Sequence, residues 1–298
     1  MKPGRLRISV IGAGRVGPVL AKGWQLSGHD IVAVTRSSNP ESNDRVDAFF
    51  PSVARPDTED ATDADLVLIA VPDDEIEPVV NGLGELGKWK PGQIIVHPSG
   101  AHGTDVLAPA REVGAIPIAL HPPMTFTGTS LDLERLVQCP VAVTAPAVAL
   151  PIAQALVYEL EAEPVIVPEE TRGLYHAALT HGANHLFVPI LQAVEALREA
   201  GVDEPQQFIR PLVEAALDRA IREGIEGLTG PVRRADTGTL AMHVRHLKAA
   251  ELDDTAATYT VLAQAVARLA HSGRQLSEQG YRDVVSALLI AEAEGDVG

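Results

Sequence analysis

The stretch that decides the fold is "LRISVIGAGRVGPVLAKGWQLSGHDIVAVTRSS", Leu6 to Ser38. An apolar segment leads into the glycine-rich turn "GAGRVG", a helix-length segment follows, and a second apolar segment ends at "VTRSS". Gly12, Gly14 and Gly17 have the G-x-G-x-x-G spacing between a strand and a helix, which is the setting that makes this pattern informative. The stretch therefore predicts a βαβ unit whose first turn binds phosphate.

The three glycines predict a dinucleotide site because each has its own steric role. Gly12 permits the tight turn, Gly14 lets the backbone approach a pyrophosphate, and Gly17 allows close packing of helix on sheet. The N-terminus of the following helix offers free N–H groups to the phosphates. A glycine-rich turn without a ligand is the alternative. The predicted cofactor contacts in this turn are Gly12, Ala13, Gly14, Arg15, Val16 and Gly17.

The end of the second predicted strand indicates which dinucleotide is bound. A site for NAD usually has Asp or Glu there, hydrogen-bonded to the ribose 2′-hydroxyl. This chain has Thr35, Arg36 and Ser37 instead. A guanidinium pairs with a 2′-phosphate, whereas a carboxylate would repel it, and Arg15 would add a second positive charge. We therefore predict that these residues bind NADP(H); the alternative for Arg36 is a solvated strand-end arginine.

Residues 1–168 alternate apolar, strand-length segments with helix-length segments, which predicts an α/β fold, a doubly wound Rossmann domain. Most of the apolar segments are continuous, as in parallel strands that are buried on both faces. The predicted strands are Ile8–Ile11, Ile31–Thr35, Leu66–Val71, Gln93–His97, Ile116–Leu120, Val141–Thr144 and Pro164–Val167.

Residues 169–298 contain no convincing strand, and alanine and leucine recur there at helical spacing. Glycine and proline lie at several joints between the helical segments. We therefore expect an all-α C-terminal domain for substrate binding and dimerisation. Its predicted helices are Thr171–Ala200, Pro205–Gly224, Asp236–Ala250, Asp253–His271 and Arg274–Ala293.

Three further strand ends supply candidate residues, since ligands of open α/β sheets lie outside the carboxyl ends of the strands. Val71 and Pro72 follow the third predicted strand, and Ser99 follows the fourth. We predict that these three residues contact the cofactor and that Ser99 also contacts the substrate. His121, which ends the next strand, is a second substrate candidate. Ordinary turn chemistry is the alternative for each of them.

The composition limits the classes of protein and partner. The chain has 298 residues, a formal net charge of −16 and one cysteine, Cys139. The negative charge argues against nucleic acid or an anionic membrane as a partner, and no apolar run approaches the roughly 20 residues of a membrane span. A single cysteine excludes an internal disulfide and favours a cytoplasmic protein. We expect no signal peptide.

Four longer motifs resemble a known family. They are "HPSGAHG", "LHPPMTFTG", "LYHAALTHGANHL" and "LTGPVRRADTGTLAMHVRHL". With them the chain resembles bacterial Rossmann-like proteins that carry a C-terminal helical domain of unknown function. "GAGRVG", "VTRS" and "AVPD" also resemble the wider superfamily of 6-phosphogluconate and β-hydroxyacid dehydrogenases, ketopantoate reductase, pyrroline-5-carboxylate reductase and prephenate dehydrogenase. The resemblance implies a two-domain fold and a nicotinamide cofactor, and it leaves the substrate open.

The helix that enters the second domain contains the candidate proton donor. Several relatives carry a lysine there with an asparagine one turn later, but the corresponding stretch "GLYHAALTHGANHLFVPIL" has no lysine. On a continuous helix His176, Thr180 and Asn184 lie within about 80° of one another. We therefore predict that His176 donates the proton, that Asn184 orients the carbonyl or imine, and that Thr180 contacts the substrate. A packed helix histidine is the alternative for His176.

Two other histidines on this helix raise the question of a metal. His181 and His185 have the i, i+4 spacing of two metal ligands. The stretch lacks the acidic residue of an H-E-x-x-H motif, and no cysteine cluster accompanies it. We therefore predict no metal; a metal-dependent dehydrogenase is the weaker alternative.

The predicted activity is reduction of a small anionic compound. Arg234, in "LTGPVRRAD", is placed to bind a substrate carboxylate, or else pairs with surface carboxylates. We predict an NADPH-dependent reductase of a 2-oxo or imine compound at the cleft between the domains; ketopantoate is the first candidate by analogy of fold, and pyrroline-5-carboxylate is the next. The rival is a non-catalytic NADP(H)-binding protein whose helical domain mediates dimerisation or partner binding. The helical domain has abundant apolar residues on several helix faces, and relatives commonly dimerise through this domain; the resemblance therefore implies a homodimer.

Overall fold

The computed structural model describes residues 4–294, which divide into two compact units between Thr180 and His181. The first unit contains a seven-stranded sheet, and each predicted strand is present close to its predicted bounds. The strands are β1 (Arg7–Ile11), β2 (Asp30–Val34), β3 (Leu66–Ile69), β4 (Ile94–His97), β5 (Ile116–His121), β6 (Pro140–Thr144) and β7 (Glu163–Ile166).

The strand order is β2-β1-β3-β4-β5-β6-β7, and every neighbouring pair is parallel except β5 with β6. The chain passes from β1 to β2 on one side and then returns to β3 on the other side of β1. This reversal is the topological switch point of the sheet, beside which ligands of open α/β folds bind. The antiparallel pair aligns Ala119 with Thr144.

Helices connect the strands of the first unit. The second of them begins after Asn39, whose side chain accepts a hydrogen bond from the Glu41 N–H, and Pro40 is its first residue. The helices are α1 (Val16–Leu26), α2 (Pro40–Phe49), α3 (Asp73–Glu85), α4 (Ala108–Glu112), α5 (Leu131–Leu136), α6 (Leu150–Tyr158) and α7 (Arg172–Leu179).

Strands β1 to β6 are mostly buried on both faces of the sheet, whereas the edge strand β7 is largely exposed. Successive strand residues point to opposite sides. Val10 of β1 packs in the core that contains α1, whereas Ile11 packs in the core that contains α3. Trp24 of α1 is fully buried and donates a 2.8 Å hydrogen bond from Nε1 to the Leu156 carbonyl oxygen. Helices on both faces of the sheet make this unit a doubly wound Rossmann domain, as predicted.

The described part of the second unit is all helical. Its core contains Leu240, Val244, Ala267, Val284 and Leu288. The predicted fold class, a Rossmann domain followed by an all-α domain, is confirmed. No helix within residues 4–294 is long and apolar enough to cross a membrane. The helices are α8 (Phe187–Glu199), α9 (Pro205–Glu223), α10 (Thr237–Ala249), α11 (Asp253–Ser272) and α12 (Glu278–Glu294).

The continuous helix predicted over Thr171–Ala200 is wrong. α7 gives way to a π-helical turn over Thr180–Asn184, and α8 begins only at Phe187. A π-helical turn has more residues per turn than an α-helix, so apolar periodicity does not reveal it. The angle of about 80° between His176 and Asn184, which assumes a continuous α-helix, therefore does not apply across this segment.

The observed division lies after α7, whereas the sequence predicts domains of 1–168 and 169–298. Arg172 accounts for the difference, because its side chain is buried against residues of the first unit and holds α7 there. The sequence-based domain bounds stay a prediction.

Leu20 and Leu26 allow a matched test of the core that contains α1, because both residues belong to α1 and differ in burial. Leu20 is 1% exposed and Leu26 is 69% exposed. Leu20→Ala leaves a cavity and should lower the free energy of unfolding by about 2–5 kcal/mol, whereas Leu26→Ala should change it by less than about 0.5 kcal/mol. Urea unfolding followed by tryptophan fluorescence measures both. Equal losses in the two variants would contradict this assignment of the buried face.

Candidate functional site

The glycine turn lies directly against the end of β3. A Cβ at Gly12 would lie 2.3 Å from the Ala70 carbonyl oxygen, and the φ angle of Gly12 is +111°. A Cβ at Gly17 would lie 2.8 Å from Ala70 Cβ and 2.9 Å from Val10 Cγ1. Neither position has room for a side chain, and the backbone of Gly12 is one that other residues rarely adopt. The turn and the start of α1 are therefore held tightly against the sheet.

The outer side of the turn is open. A Cβ at Gly14 would meet no atom within 4 Å, while Ala13 is buried beneath the turn. α1 begins at Val16 with no side-chain cap and no acidic residue in its first turn, so its first N–H groups are free to bind an anion. Thr35 Oγ1 accepts a 2.9 Å hydrogen bond from the Gly12 N–H. Thr35 thus fastens the turn to the end of β2.

Four arginines surround the turn and the end of β2. Arg36 is exposed and donates from Nε to the Arg55 carbonyl oxygen at 3.2 Å. Arg15 and Arg45 both adjoin Gly128, where a Cβ would lie 3.2 Å from Arg15 Cγ and 2.8 Å from Arg45 Cδ. We refer to these side chains together as the arginine cluster: Arg15, Arg36, Arg45 and Arg55.

The arginine cluster holds more positive charge than its acidic neighbours neutralise. Arg55 pairs with Asp47 at 2.8 Å. The other three arginines form no ion pair within residues 4–294. The Nε atoms of Arg45 and Arg55 are buried without a hydrogen-bond partner. In a chain of net charge −16, this concentration of positive charge suits a phosphate group.

Local hydrogen bonds fix the turn that follows β2. The Ser37 N–H donates to Asn43 Oδ1 at 3.0 Å, and Asn43 Nδ2 donates to the Ser37 carbonyl oxygen at 2.8 Å. Ser37 Oγ accepts from the Asn39 N–H at 3.1 Å. Arg55 also donates to Asn43 Oδ1, at 2.6 Å. The exposed guanidinium of Arg36 is therefore presented from a braced turn.

A buried histidine fixes the end of β4. His97 Nε2 lies 2.7 Å from the Gly103 carbonyl oxygen, and His97 Nδ1 accepts from the Ser99 N–H at 3.2 Å. This arrangement needs a neutral ring with its hydrogen on Nε2, and burial lowers the pKa of His97 to about 4. Ser99 is buried too, and its Oγ accepts from the N–H groups of Ala101 and His102. The hydroxyl that the sequence assigns to ligand binding braces this turn.

A second group of polar side chains lies at the ends of β4 and β5. His121 Nδ1 lies 2.7 Å from the Tyr175 hydroxyl oxygen, and the two rings meet at 85°. The rings of His121 and His176 both approach Gly100, where a Cβ would lie 2.9 Å from each. Burial, the charge of Arg172 and the nearby His176 lower the pKa of His121 to about 4, so its ring is neutral at pH 7. We refer to these side chains as the edge cluster: His121, Arg172, Tyr175 and His176.

Arg172 is a buried cation within the edge cluster. It is 2% exposed, and it donates from Nη1 to Thr144 Oγ1 at 2.9 Å and from Nη2 to the Ser99 carbonyl oxygen at 2.7 Å. Its guanidinium carbon lies 5.5 Å from the centre of the Tyr175 ring. Burial lowers the pKa of Arg172, but an arginine stays protonated at pH 7. A fixed positive charge in a poorly solvated place stabilises negative charge that develops nearby.

The end of β3 lies between the glycine turn and the edge cluster, because β3 separates β1 from β4 in the sheet. Val71 and Pro72 lead from β3 into α3, and Pro72 is exposed. Asp73 is the first residue of α3, and its charge raises the pKa of His121 and of Arg172 against the stronger effect of their burial. The predicted contacts Val71 and Pro72 therefore lie on the same sheet edge as both groups.

The other predicted site residues lie in exposed or irregular segments. Thr180 and Asn184 are the first and last residues of the π-helical turn. His181 and His185 approach each other with 3.3 Å between their Nδ1 atoms; no group of three or more metal-binding side chains occurs in the described part of the chain. Arg234 is exposed in the turn before α10. The roles assigned to Thr180, Asn184 and Arg234 stay predictions.

Four side chains of these two clusters were not foreseen from the sequence. Arg45 belongs to α2 and Arg55 to the loop after it. Only the folded chain brings Arg45 to Gly128 beside Arg15, and Arg55 to Thr35 and Arg36 at the end of β2. Arg172 and Tyr175 precede the histidine that the sequence reasoning selected. Their i, i+3 spacing on a helix is the one available sign that they face each other.

The neutral state of buried His97 predicts a pH dependence of stability. The pKa is near 6.5 in the unfolded chain and about 4 in the folded one, so the unfolded state binds more protons between these values and stability falls as the pH drops from 6.5 toward 4. In His97→Gln the glutamine amide can still donate a hydrogen bond, but the side chain no longer titrates. When the pH is lowered from 7.5 to 4.5, the free energy of unfolding of the wild type should fall by about 2 kcal/mol more than that of this variant. Urea unfolding at both pH values measures this, and parallel losses would contradict a neutral buried ring.

Two family models match the chain. Residues 1–122 match the Rossmann-like domain, and residues 139–266 match a domain of unknown function (DUF2520). No curated protein matches the chain.

Many solved structures match the chain, and the following three are among them. A Bacteroides fragilis protein, provisionally described as an NADP oxidoreductase, is 21% identical with a TM-score of 0.73, over 89% of this chain and 98% of its own. An imine reductase from Pseudomonas sp. is 19% identical with a TM-score of 0.63; the match covers 97% of this chain and 99% of the reductase. A pyrroline carboxylate reductase from Plasmodium falciparum, with NADP bound, is 12% identical with a TM-score of 0.54; the match covers 98% of this chain and 100% of that reductase. Identities this low establish a shared fold. A match to the Rossmann-like domain is thus followed along the chain by a match to DUF2520, which confirms the resemblance of the sequence motifs to Rossmann-like proteins with a C-terminal helical domain of unknown function.

Proposed function

We propose that this protein is an NADP(H)-dependent oxidoreductase that reduces a small anionic 2-oxo or imine compound. The observation that carries the proposal is the arginine cluster beside an open glycine turn at the switch point of the sheet. The three structural neighbours are described as an NADP oxidoreductase, an imine reductase and a pyrroline carboxylate reductase. Those descriptions support the same class of reaction here, by analogy of fold.

The residues around the turn fit NADP(H) in shape and in charge. The space beside Gly14 admits a pyrophosphate close to the backbone, and the uncapped start of α1 supplies its N–H groups. The exposed guanidinium of Arg36 takes the 2′-phosphate, with Arg15, Arg45 and Arg55 adding to the positive field. Thr35 holds the turn in place through its hydrogen bond to Gly12.

The chain's own part in the reaction is to orient the substrate and to supply a proton. When bound, NADPH supplies a hydride from its nicotinamide ring. His176 is the proton donor that the sequence predicts, and Asn184 the residue that orients the carbonyl or imine. The predicted substrate contacts are Ser99, His121, Thr180 and Arg234.

The substrate is proposed as a small anion with a C=O or C=N bond. Ketopantoate is the choice from the sequence, because ketopantoate reductases share the two-domain plan. The two neighbours described as imine and pyrroline carboxylate reductases favour a cyclic imine as the first compound to test. A panel of ketopantoate, pyrroline-5-carboxylate and uncharged 1-pyrroline answers two questions. Comparing the two cyclic imines shows whether a carboxylate is needed, and comparing ketopantoate with pyrroline-5-carboxylate shows whether C=O or C=N is reduced.

A second candidate function is NADP(H) binding without catalysis. One observation favours it, namely the absence of lysine from residues 173–191, where several relatives carry one. Turnover decides between the two functions. An enzyme that uses His176 loses turnover in His176→Ala and keeps its affinity for NADPH. A wild type that binds NADPH tightly and reduces no compound of the panel is a binding protein.

The choice of NADP(H) predicts a selective effect of Arg36. The wild type should bind NADPH more tightly than NADH, and Arg36→Ala should weaken NADPH binding about tenfold, since losing one charge-assisted hydrogen bond costs about 1.5–3 kcal/mol in a dry site and less in an exposed one. Binding of NADH should stay within about twofold. Titrations followed by nucleotide fluorescence measure both affinities.

Arg111→Ala is the matched control, because Arg111 is an exposed arginine of α4 that pairs with Asp105 at 3.5 Å. It should leave both affinities unchanged. Equal affinity of the wild type for NADPH and NADH would refute the role given to Arg36. Binding of neither nucleotide would end the proposal of an NADP(H) enzyme.

We also propose a homodimer formed through the helical domain. Many large apolar side chains of its helices are exposed, more than single scattered residues explain. They include Phe187, Val188 and Leu191 of α8, Phe208, Leu212 and Ile221 of α9, and Val261, Leu262 and Leu269 of α11.

Light scattering tests the dimer. The wild type should have twice the chain mass of 31.5 kDa, and Leu212→Glu, which introduces a charge at a side chain that is 70% exposed, should shift it toward the monomer. Leu26→Glu, at an exposed leucine of the first unit, should leave the mass unchanged. A monomeric wild type at micromolar concentration would refute the proposal.

A further inference from the structure

Tyr175 is a firmly placed acid–base group of the edge cluster. Its hydroxyl oxygen lies 2.7 Å from His121 Nδ1, and the His121 ring meets it edge-on. The guanidinium of Arg172, one helical turn earlier, lies over its ring at 5.5 Å. Tyr175 is therefore held by two neighbours from different elements, β5 and α7.

His176 is less constrained, although it lies beside the same backbone. Its ring approaches Gly100, but it forms no hydrogen bond within residues 4–294. A catalytic group is effective when surrounding contacts fix its rotamer. By that criterion Tyr175 is the better proton donor of the two neighbouring residues.

We propose that Tyr175 is the proton donor of the reductase, with His121 and Arg172 as its positioning residues. The assignment rests on the proposed function and replaces His176 in that role. It also makes His121 a positioning residue in place of the substrate contact that the sequence predicts. His121 orients the phenol through its ring nitrogen. Arg172 places a buried positive charge over the Tyr175 ring, 5.5 Å from its centre, and forms no ion pair with a carboxylate of the described residues. Its charge favours the phenolate that forms when Tyr175 gives up its proton.

The proton and electron balance is that of an ordinary reduction. A hydride from NADPH, the co-reactant named in the proposed function, forms the new C–H bond at the carbonyl or imine carbon. The O–H bond of Tyr175 breaks, and its proton joins the substrate oxygen or nitrogen. The phenolate then takes a proton from water. NADPH and one proton are consumed, and NADP⁺ and the alcohol or amine are formed.

The hydroxyl of Tyr175 carries its proton in the resting state. Burial raises the pKa of Tyr175 and the Arg172 charge opposes that effect, so the hydroxyl is protonated at pH 7 and able to donate. The neutral ring of His121 leaves the phenol uncharged in the resting state. An arginine–tyrosine pair also explains how the chain could manage without the lysine of its relatives.

The first test compares two tyrosines of the same unit. Tyr175→Phe should lower kcat on pyrroline-5-carboxylate or ketopantoate about 100-fold or more, as expected for loss of a general acid. Its affinity for NADPH, measured by fluorescence without substrate, should stay within about twofold. Tyr158→Phe is the control, because Tyr158 is 63% exposed on α6, and both kcat and affinity should remain unchanged.

The second test separates positioning from packing at His121. His121→Asn keeps an amide near the place of Nδ1 and should retain most of kcat, whereas His121→Ala should lower kcat about tenfold with little change in KM. A residue that only fills space would give equal losses in the two variants. Equal losses would therefore refute the positioning role.

A third test needs no turnover. Nitrogen-15 histidine NMR of the protein without nucleotide, with His121 assigned by its loss in His121→Asn, should show a neutral ring at pH 6. The groups whose charges act on it are Arg172, His176 and Asp73. Tyr175→Phe should shift the His121 Nδ1 resonance. If the His121 ring titrates near pH 6.5 and its Nδ1 resonance does not change in Tyr175→Phe, the pairing of His121 with Tyr175 is wrong.

The outcomes separate the two claims. Full kcat in Tyr175→Phe together with loss of turnover in His176→Ala overturns the inference and keeps the proposed function. Failure of the wild type to bind NADPH, or to reduce any compound of the panel, overturns the proposed function and the inference with it. Loss of kcat in Tyr175→Phe with intact NADPH affinity supports both.

Discussion

The approach of the glycine turn to Ala70 is the contact on which the rest of the site depends. A side chain at Gly12 or Gly17 would overlap Ala70, so any other residue would push the turn and the start of α1 away from the sheet. With glycine there, α1 begins close to the carboxyl edge, between β1 and β3. The uncapped N–H groups of the helix and the end of β3 then face the same space, which is the geometry that dinucleotide sites of this fold require.

Charge is distributed so that an acidic protein can hold an anion. The net charge of −16 repels anions at long range, but salt screens that repulsion beyond about 8–10 Å. Close to the turn the arginine cluster dominates, and two of its Nε atoms lack partners. At the other end of the site Arg172 keeps its charge while buried, with bonds to Thr144 and to the Ser99 carbonyl oxygen. The two positive regions lie on either side of the end of β3.

The sequence predicts what depends on local pattern and misses what depends on distant packing. Most strands are short, continuous apolar segments, and the glycine spacing follows a steric rule, so the sheet and the glycine turn could be predicted directly from the sequence. The π-helical turn at Thr180–Asn184 interrupts a segment whose composition is helical throughout, and no periodicity marks it. Arg45 is an example of a residue that depends on distant packing. It lies near Arg15 only because the folded chain brings both side chains to Gly128.

The proposed proton donor, Tyr175, could not be selected from the sequence for the same reason. Angular position on an ideal helix favours His176, because that argument considers one helix alone. Tyr175 gains its importance from His121 on β5, which is 54 residues away along the chain. Burial likewise changes histidines that look alike in the sequence: His97 has a low pKa and a structural role, and its contacts leave no ring nitrogen for a ligand.

The account's central claim is that one sheet edge holds the phosphates at the glycine turn and carries the proton donor near the ends of β4 and β5. A crystal structure with NADP⁺ tests it most directly. We predict the 2′-phosphate at Arg36, the pyrophosphate over Gly14 and the start of α1, and the nicotinamide ring close to the Tyr175 hydroxyl. A nucleotide bound elsewhere, or a nicotinamide ring directed away from Tyr175 and His121, would contradict the account.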